Sequence, residues 1–586
     1  MAGTIRRSLA AVAILAVTVF GRAEAAPAGA PTPINLSLPY PQKAPLVVHI
    51  HGFERVKERL AKMLDALPPE QAKQLKKGID DGFAQLLKGR SLDGVPKEGR
   101  VFVVVHDFAK LVDGEPAISV IVPATSYKEF KDSLLTAEER KSIEKAGNGI
   151  ESMKSSAVGD EQTLYMVELK GYVALSPSKE TAETYVGKYT WSQSGSMGMD
   201  LSSSFLAADV AIYVNMQAIN DLYGEQIKQF KGLIDFGLGQ AQNMGMIPGL
   251  GKQQLDLAKI MIGGMFQGVE DSQGIVLAAE FRPAGLNLRG QIRFADETQS
   301  SDLLKPEQPT PLAGLNKLPK GLSTYGASKF GKKFSDLGKK FAQEFQAADD
   351  DEKGAGRIDK LLAEVESSGR IGEISASSAP EQSMTITGYK SPEKAVTAIV
   401  KIYEGLESGG KVSTIALKQK PTVTNKAATF RDFTFTEVKL VFDFAATVEA
   451  LPEPARDAAI AQFKRMMKEK TTFWLGTDGK VVVQMTAKDF NAAKKMLGDY
   501  LDDTDAVGSD PGFLLARKNL PADVSLLYML ETGQVVSMLV EQAKAVGQAI
   551  PGGAGFPPFG SVKPVKGEAT YIGVAVTLKP QTAGFD

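Results

Sequence analysis

One strand-and-helix pattern occurs twice in this chain, and the repetition constrains the fold more than any other feature. The stretch LAADVAIYVNMQAINDLYGEQIKQF begins at Leu206, and LPADVSLLYMLETGQVVSMLVEQAKAV begins at Leu520. From Val210 the residues alternate between apolar and less apolar, as in a half-buried strand, and from Ile219 the apolar residues recur three or four apart. We expect a strand followed by a helix packed back on the sheet, with the second copy of the strand starting at Val524.

Further elements recur in the same order. The patterns LYMVELKGYVAL and TFWLGTDGKVVV predict hairpins that turn at Lys170-Gly171 and Asp478-Gly479, and both precede a helical pattern. Fainter strand-and-helix units begin at Ala44 and Leu318. The simplest explanation is a duplication within the chain.

The length of 586 residues exceeds what one hydrophobic core usually serves, so we expect two domains. Hairpins with interspersed helices and no regular βαβ series favour an α+β class: two tandem homologous domains with mainly antiparallel sheets and packed amphipathic helices. The predicted divisions are a signal peptide at 1–25, a Pro-rich lead-in at 26–42, a first repeat domain at 43–297, a linker at 298–316 and a second repeat domain at 317–582.

The first residues have the features of a secretion signal. Arg6 and Arg7 precede an apolar run from Leu9 to Phe20, and the run ends before Ala23-Glu24-Ala25, which matches a small-x-small cleavage site. The chain contains no cysteine, which excludes disulfides and an acylated cysteine anchor. We expect a periplasmic or secreted protein without a transmembrane segment after cleavage, and an uncleaved anchor is the alternative.

The charge balance restricts the partners. The chain has 68 Lys and Arg residues against 69 Asp and Glu, so it lacks the basic field that nucleic-acid binding requires. We expect no nucleic acid as partner, and an envelope protein, a polymer or a hydrophobic ligand remains open.

The predicted signal, the absence of cysteine and the recurring LPADVSLLY with its following helix resemble large exported bacterial proteins with duplicated α+β domains. The resemblance covers most of the chain. It implies the fold class and export, and it implies no catalytic residue because it contains no functional motif.

The chain has three histidines, all in the first half: His49, His51 and His106. His49 and His51 lie two apart in the strand pattern VVHIH, so their side chains share one face. If the strand that ends at His106 were adjacent, three imidazoles and a water would suit zinc, with Asp107 or Glu54 nearby, and the metal would activate the water for hydrolysis. The alternative is that these are ordinary surface or strand-end histidines on the wetter face of a sheet.

Two other patterns have structural alternatives. The sequences at Ser176–Lys179 and Ser391–Lys394 match the S-x-x-K pattern of serine acyl-enzymes, but each Ser-Pro comes before a helical pattern, which favours helix capping. The acidic segments at Asp349 and Asp499 do not fit an EF-hand and are interpreted as solvated loops rather than calcium sites.

Two apolar loops rich in Gly and Pro, NMGMIPGLGK and IPGGAGFPPFG, follow corresponding helices in the two halves. If exposed, Met246, Ile247, Phe556 and Phe559 would form a hydrophobic patch for a partner or ligand, and the alternative is that the loops cover a core. The stripe of phenylalanines in SKFGKKFSDLGKKFAQEF likewise fits either an interfacial helix on lipid or a core-facing helix.

The sequence contains no nucleotide-binding, metalloprotease or hydrolase-elbow motif. We therefore expect an exported, non-enzymatic binding or structural protein of the bacterial envelope. A metal-dependent hydrolase with the histidine site in the first domain and a lipid or hydrophobic-ligand binding protein are the alternatives.

Overall fold

The computed structural model shows an α+β protein with mixed helices and strands, and the strand pairings among its described residues are antiparallel, which confirms the predicted fold class. It describes residues 37–586 except 66, 68, 88, 113–116, 156–161, 189–190, 193–196, 245–251, 284, 338–351, 379, 413–414, 450–452 and 534–569. The predicted signal and the four predicted patch residues, Met246, Ile247, Phe556 and Phe559, lie outside this part.

The chain divides into two compact units. The first unit comprises Met1–Gly232, Met265–Asp302 and Gln581–Asp586, and the second comprises Leu233–Gly264 and Leu303–Pro580. The predicted domains at 43–297 and 317–582 are drawn from the sequence alone and stay a prediction.

Twelve of the described strands precede residue 300. They are β1 (Ser37–Leu38), β2 (Leu46–His51), β3 (Arg100–Val105), β4 (Ile118–Pro123), β5 (Glu144–Gly147), β6 (Ile150–Ser155), β7 (Gln162–Leu169), β8 (Tyr172–Ser176), β9 (Trp191–Ser192), β10 (Val210–Val214), β11 (Ser272–Arg282) and β12 (Gly285–Phe294). The remaining described strands are β13 (Thr324–Ser328), β14 (Arg370–Ser378), β15 (Gln382–Tyr389), β16 (Lys411–Val412), β17 (Ile415–Ala416), β18 (Thr422–Phe430), β19 (Phe433–Val441), β20 (Lys470–Thr477), β21 (Val481–Thr486), β22 (Leu526–Glu531), β23 (Tyr571–Lys579) and β24 (Thr582–Phe585).

The described helices are α1 (Phe53–Leu64), α2 (Pro69–Leu87), α3 (Phe108–Val112), α4 (Tyr127–Leu134), α5 (Ala137–Lys141), α6 (Lys179–Glu183), α7 (Gly198–Ala207), α8 (Met216–Met244), α9 (Lys252–Asp271), α10 (Gln299–Leu304), α11 (Glu352–Ser367), α12 (Pro392–Gly405), α13 (Phe444–Thr447), α14 (Glu453–Met466), α15 (Phe490–Asp502) and α16 (Pro511–Lys518). Short 3-10 helices lie at Ala313–Lys317 and Val507–Ser509.

Each unit contains an antiparallel sheet. In the first unit the order is β5-β6-β7-β8-β4-β3-β2-β10-β11-β12-β24. In the second unit it is β18-β19-β20-β21-β15-β14-β13-β22-β23. The strand β24 at the end of the chain therefore pairs within the first unit.

Both predicted hairpins are confirmed, with turns between β7 and β8 and between β20 and β21. The strand at Val210 begins where predicted. Its second copy begins at Leu526 rather than Val524, because Val524 forms an isolated bridge to Thr310 before the strand starts. The shift is two residues, so the predicted faces of this strand are unchanged.

The main core cluster of the first unit lies on one face of its sheet, and helix α1 packs through Val56 and Leu60 on the other face. In the main cluster Phe102 and Ile121 from the central strands pack against Phe205 of α7 and Tyr185, and all four side chains are buried. The core of the second unit is built in the same way around Tyr325, Phe435 and Phe513. Burial of such large aromatic and branched side chains is the main source of stability in a chain without disulfides.

The predicted burial of the apolar stripe of α8 is met only in part. The helix begins after β10 as expected. Leu222 and Phe230 of the predicted core-facing stripe are exposed. The other stripe residues, Ile219, Tyr223, Ile227 and Ile234, are partly buried. Helical periodicity therefore identified an apolar stripe correctly, but two of its side chains remain largely accessible to solvent.

Candidate functional site

The histidines of strand β2 lie together on one face of the sheet of the first unit. His49 and His51 have ring centroids 5.8 Å apart, and both rings are buried. The Nδ1 atom of His49 donates a hydrogen bond to the carbonyl of Phe205 at 3.0 Å, so its Nε2 atom carries the lone pair. His49 also stacks on Phe102 with ring centroids 5.5 Å apart.

His106 does not join them, although its strand is the neighbour of β2. The antiparallel register pairs His49 with Phe102 and Leu46 with Val105, so His106 follows the end of β3 that lies away from His51. Four residues of strand correspond to about 13 Å between the positions of Phe102 and His106. Strand β3 is adjacent to β2, as the metal hypothesis required, but the register of the pair separates His106 from His49 and His51.

His49 and His51 are neutral in the folded protein at pH 7. Burial and, next, the nearby Arg100 guanidinium lower the pKa of His49 to about 3. Burial, Arg55 and Arg100 lower the pKa of His51 to about 4. The described residues contain no group of three or more His, Cys, Asp or Glu side chains placed to hold a metal ion. The zinc site stays a hypothesis that this geometry does not support.

His106 is partly buried and belongs to a separate cluster with the buried Ser119 and Tyr185. Its Nε2 atom lies 2.9 Å from the hydroxyl of Ser119 and 3.1 Å from the hydroxyl of Tyr185, and the two hydroxyls are 2.6 Å apart. Burial lowers the pKa of His106 to about 4, so the ring is neutral at pH 7. The carboxylate of Asp107 accepts hydrogen bonds from the Tyr223 hydroxyl and from a backbone N–H of α3.

A serine and a neutral imidazole at this distance have the geometry of a nucleophile and its base. Ser119, however, is fully buried, and its hydroxyl is bonded to both neighbours, so a substrate carbonyl has no access to it. The arrangement is a satisfied polar cluster of the core. Ser119 and Tyr185 lie far from His106 in sequence, and no motif of the sequence indicated this contact.

A buried carboxylate lies beside the histidines. Asp209 is fully buried and accepts from Arg59 at 2.7 Å, more weakly from Arg55 at 3.5 Å, and from the backbone N–H of Phe281 at 2.7 Å. Arg55 also contacts the exposed Glu98 at 2.8 Å. The cluster links α1 to the end of β10, and each charge in it has an opposite partner, which is the condition for burying an ion pair.

The S-x-x-K sequences are structural in two different ways. Ser178, rather than Ser176, caps α6 by accepting from the Thr181 N–H at 3.3 Å. Ser176 instead donates to the carbonyl of Ile118. Ser391 occupies the N-cap position of α12 before Pro392, without a side-chain capping bond.

The largest unexplained feature is the apolar surface of α8 and α9, which follow each other between β10 and β11. Leu233 and Phe236 are 68% and 65% exposed, and Met261 on α9 is 54% exposed. These three large apolar side chains belong to the second unit. We call Leu233, Phe236 and Met261 the hairpin surface.

The segment that joins the two helices is uncharged. Residues 236–251 contain no Asp, Glu, Lys or Arg, and in the second half residues 545–562 contain none either. The four predicted patch residues belong to these two segments and lie outside the described part, so their exposure stays a prediction. Leu233, which lies shortly before the first segment, is 68% exposed.

Among the described residues no helix is both long enough and apolar enough to span a bilayer. No protein-family model matches the chain, and no curated protein and no solved structure is detectably similar to it. The function must therefore be argued from the chemistry of the molecule itself.

Proposed function

We propose that this protein is an exported, non-enzymatic binding protein of the bacterial envelope that docks on the surface of a lipid bilayer through the helices α8 and α9. The observation that carries the proposal is the exposed hairpin surface, which has no covering element among the described residues. Its apolar side chains would leave water on insertion into the bilayer interface, and each such burial is favourable by about 1.5–3 kcal/mol.

The charges of this region favour a lipid surface over a polyanion. Residues 216–271 contain four lysines against six carboxylates, so the attraction is not electrostatic. The uncharged run at 236–251 avoids the cost of placing a charge among acyl chains. Phe236 provides an aromatic side chain of the kind found in helices that lie in the interface. Binding should therefore occur on zwitterionic lipid and depend little on salt.

The test is co-sedimentation with phosphatidylcholine vesicles at low and at high salt. The variants Leu233→Ser and Phe236→Ser should each weaken partitioning at least tenfold. The matched control is Met199→Ser, which changes a side chain on α7 that is 69% exposed and should bind like the unaltered protein. If the unaltered protein stays in the supernatant, or if all three variants bind alike, the proposal fails.

Export is part of the proposal and is supported by the signal-like sequence before Ala26. Fractionation of cells that produce the full chain, with N-terminal sequencing of the product, tests it. A mature protein that starts at Ala26 in the periplasm or medium supports export, and an intact chain in the cytoplasm contradicts it.

We further propose that the two units arose by tandem duplication. The order of pairing supports this: β8-β4-β3-β2-β10-β11 of the first unit has its counterpart in β21-β15-β14-β13-β22-β23 of the second. Comparison of more distant sequences of the same length, aligned half against half, would test the common origin.

A further inference from the structure

A groove of about 450 Å³ opens in the second unit between the segment after Thr310 and strands β13 to β15. Its walls are formed by Leu312, Ile371, Ile374 and Ile386, and its volume lies in the range of small-molecule sites. Leu312 has φ 50, a left-handed conformation that is unusual for a branched apolar residue and costs on the order of 1 kcal/mol. The chain turns here to carry the 3-10 helix across the sheet.

The position of the groove can be matched to the first unit by backbone hydrogen bonds. The N–H of His51 donates to the carbonyl of Asp209 at 2.9 Å, directly before β10. The N–H of Lys329 donates to the carbonyl of Ser525 at 2.8 Å, directly before β22. Strand β13 also lies between β14 and β22 as β2 lies between β3 and β10, so His51 and Lys329 occupy matching positions.

Large side chains fill this position in the first unit. One row of its sheet contains His49 and Phe102, where the second unit has Ala327 and Ile374. His51 pairs with Arg100.

Small residues stand there in the second unit. At the position that matches Arg100 lies Gly372, which is paired with Gly388, and both line the groove. Gly314 lies next to Ile374, the residue that matches Phe102. In the first unit the ring of Tyr40 packs against Phe102 instead. The groove therefore exists because glycine and alanine take the places of aromatic, imidazole and guanidinium groups.

The polar groups at the groove are few. The carboxylate of Glu373 is already paired with Arg370 at 2.7 Å and accepts from Thr387 at 3.1 Å. Lys329 is exposed, and within the described part of the chain its ammonium makes no ion pair or hydrogen bond. An apolar groove with one uncompensated cation complements a hydrocarbon chain that carries a single negative charge.

We infer that this groove binds a fatty acid, with the hydrocarbon against Leu312, Ile374 and Ile386 and the carboxylate on Lys329. The inference concerns a different surface from the hairpin and does not depend on membrane docking. Glycine at 372 and 388 lets the chain of the ligand lie directly on the strand backbone.

Titration calorimetry with dodecanoate and with dodecanol, which differ only in the charged group, tests the inference on the full chain. Dodecanoate should bind at least tenfold more tightly than dodecanol. Lys329→Gln should weaken dodecanoate about tenfold and leave dodecanol unchanged, since a charge-assisted contact of about 1.4 kcal/mol is lost. The control Lys480→Gln, which changes another exposed lysine of the second unit, should leave both affinities unchanged.

Gly388→Leu should abolish binding of both ligands by filling the groove. A Cβ at this position meets Ile371 at 3.5 Å, an ordinary contact, so the variant is expected to fold, and Lys329→Gln provides a test that does not depend on packing. Leu233→Ser should bind dodecanoate normally, which separates this site from the hairpin surface. Absence of dodecanoate binding, equal affinity for the alcohol, or unchanged binding in Lys329→Gln or Gly388→Leu overturns the inference.

Discussion

At the end of strand β2 the first unit has the buried residues His49, His51 and Asp209. The matching positions at the end of β13 in the second unit are occupied by Ala327, Lys329 and Ser525. The carboxylate of Asp209 accepts from the N–H of Phe281, and the hydroxyl of Ser525 accepts from the N–H of Leu578. The backbone N–H at this matching position therefore donates to a carboxylate in the first unit and to a hydroxyl in the second.

This difference shows that two positions can have the same backbone hydrogen bonds and still have side chains of different charge and size. A buried serine satisfies one N–H and requires no further partner. A buried aspartate in the same place requires cations, and Arg59 and Arg55 of α1 supply them. In the first unit charged and aromatic side chains fill the space over this end of the sheet. In the second unit Gly372 and Gly388 leave a groove there.

The largest expected effect comes from removing the buried carboxylate. Asp209→Ala removes the acceptor of Arg59 and of the Phe281 N–H. It leaves Arg55 paired with Glu98 alone, and we expect a loss of about 3–5 kcal/mol in the stability of the first unit. Ser525→Ala should cost the second unit about 1–3 kcal/mol, since only one N–H is left unsatisfied. Urea denaturation measures both. Equal losses in the two variants would contradict the comparison.

The two tryptophans make the units separately visible, because Trp191 lies in the first unit and Trp474 in the second. Unfolding of Asp209→Ala is followed in Trp474→Phe, where only Trp191 reports. Unfolding of Ser525→Ala is followed in Trp191→Phe. The parent single-tryptophan proteins are the controls.

Acid should weaken the first unit selectively, since all three histidines lie there. Their folded pKa values are lowered to about 3 for His49 and about 4 for His106, so the unfolded chain binds protons first. Their contribution is complete above the unfolded pKa of about 6.5 and is lost as the pH falls towards the folded values. At pH 5 each buried histidine should cost about 2 kcal/mol.

Urea midpoints at pH 7.5 and pH 5, read from Trp191 and Trp474 separately, check this prediction. His49→Leu should remove part of the pH dependence of the first unit. A second unit that loses as much stability as the first between these pH values would assign the acid effect to carboxylates instead.

A smaller effect is expected at the glycines of the second sheet. Gly388→Ala introduces a Cβ in ordinary contact with Ile371 and restricts the unfolded chain, so stability should rise by about 0.4–1 kcal/mol. Gly476→Ala is the opposite control, because its Cβ would come within 2.5 Å of the Phe435 ring and must destabilise. Thermal midpoints of both variants measure the effect, and a stabilising Gly476→Ala would refute the packing argument.

The smallest effect is expected for an ion pair at the surface of the second unit. Lys320 and Asp505 approach to 2.7 Å, but both side chains are about half exposed to solvent. Lys320→Ala should leave the urea midpoint unchanged, in contrast with the buried pair of Asp209 and Arg59. A measurable loss in Lys320→Ala would show that exposure does not separate the two pairs.

Much of the fold follows from local pattern. The alternation from Val210 and the turns at Lys170-Gly171 and Asp478-Gly479 predict strands and hairpins that the structure contains. Their antiparallel pairing is also predicted, because a short turn can join only antiparallel neighbours. The second copy of the strand was misplaced by two residues, since Val524 has the right residue type but pairs with Thr310 outside the sheet.

The candidate sites were less predictable. The pairing of His49 and His51 on one face follows from the two-residue period of a strand, but the distance to His106 depends on register between β2 and β3. The contact of His106 with Ser119 and Tyr185 joins residues with no shared motif. The groove beside Lys329 depends on the pairing of Gly372 with Gly388 on two neighbouring strands, and no sequence motif predicts that pairing.

The sequence by itself determined the strands, the hairpins, the repeated order of elements and the apolar stripe of α8, because these depend on residues close together in the chain. Tertiary structure alone decided that Leu222 and Phe230 of this stripe are exposed, that the third histidine lies apart from the other two, and that one unit has a groove where the other has large side chains. The physical reason is that periodicity specifies which residues share a face, whereas burial and contact depend on what other segments of the chain bring to that face.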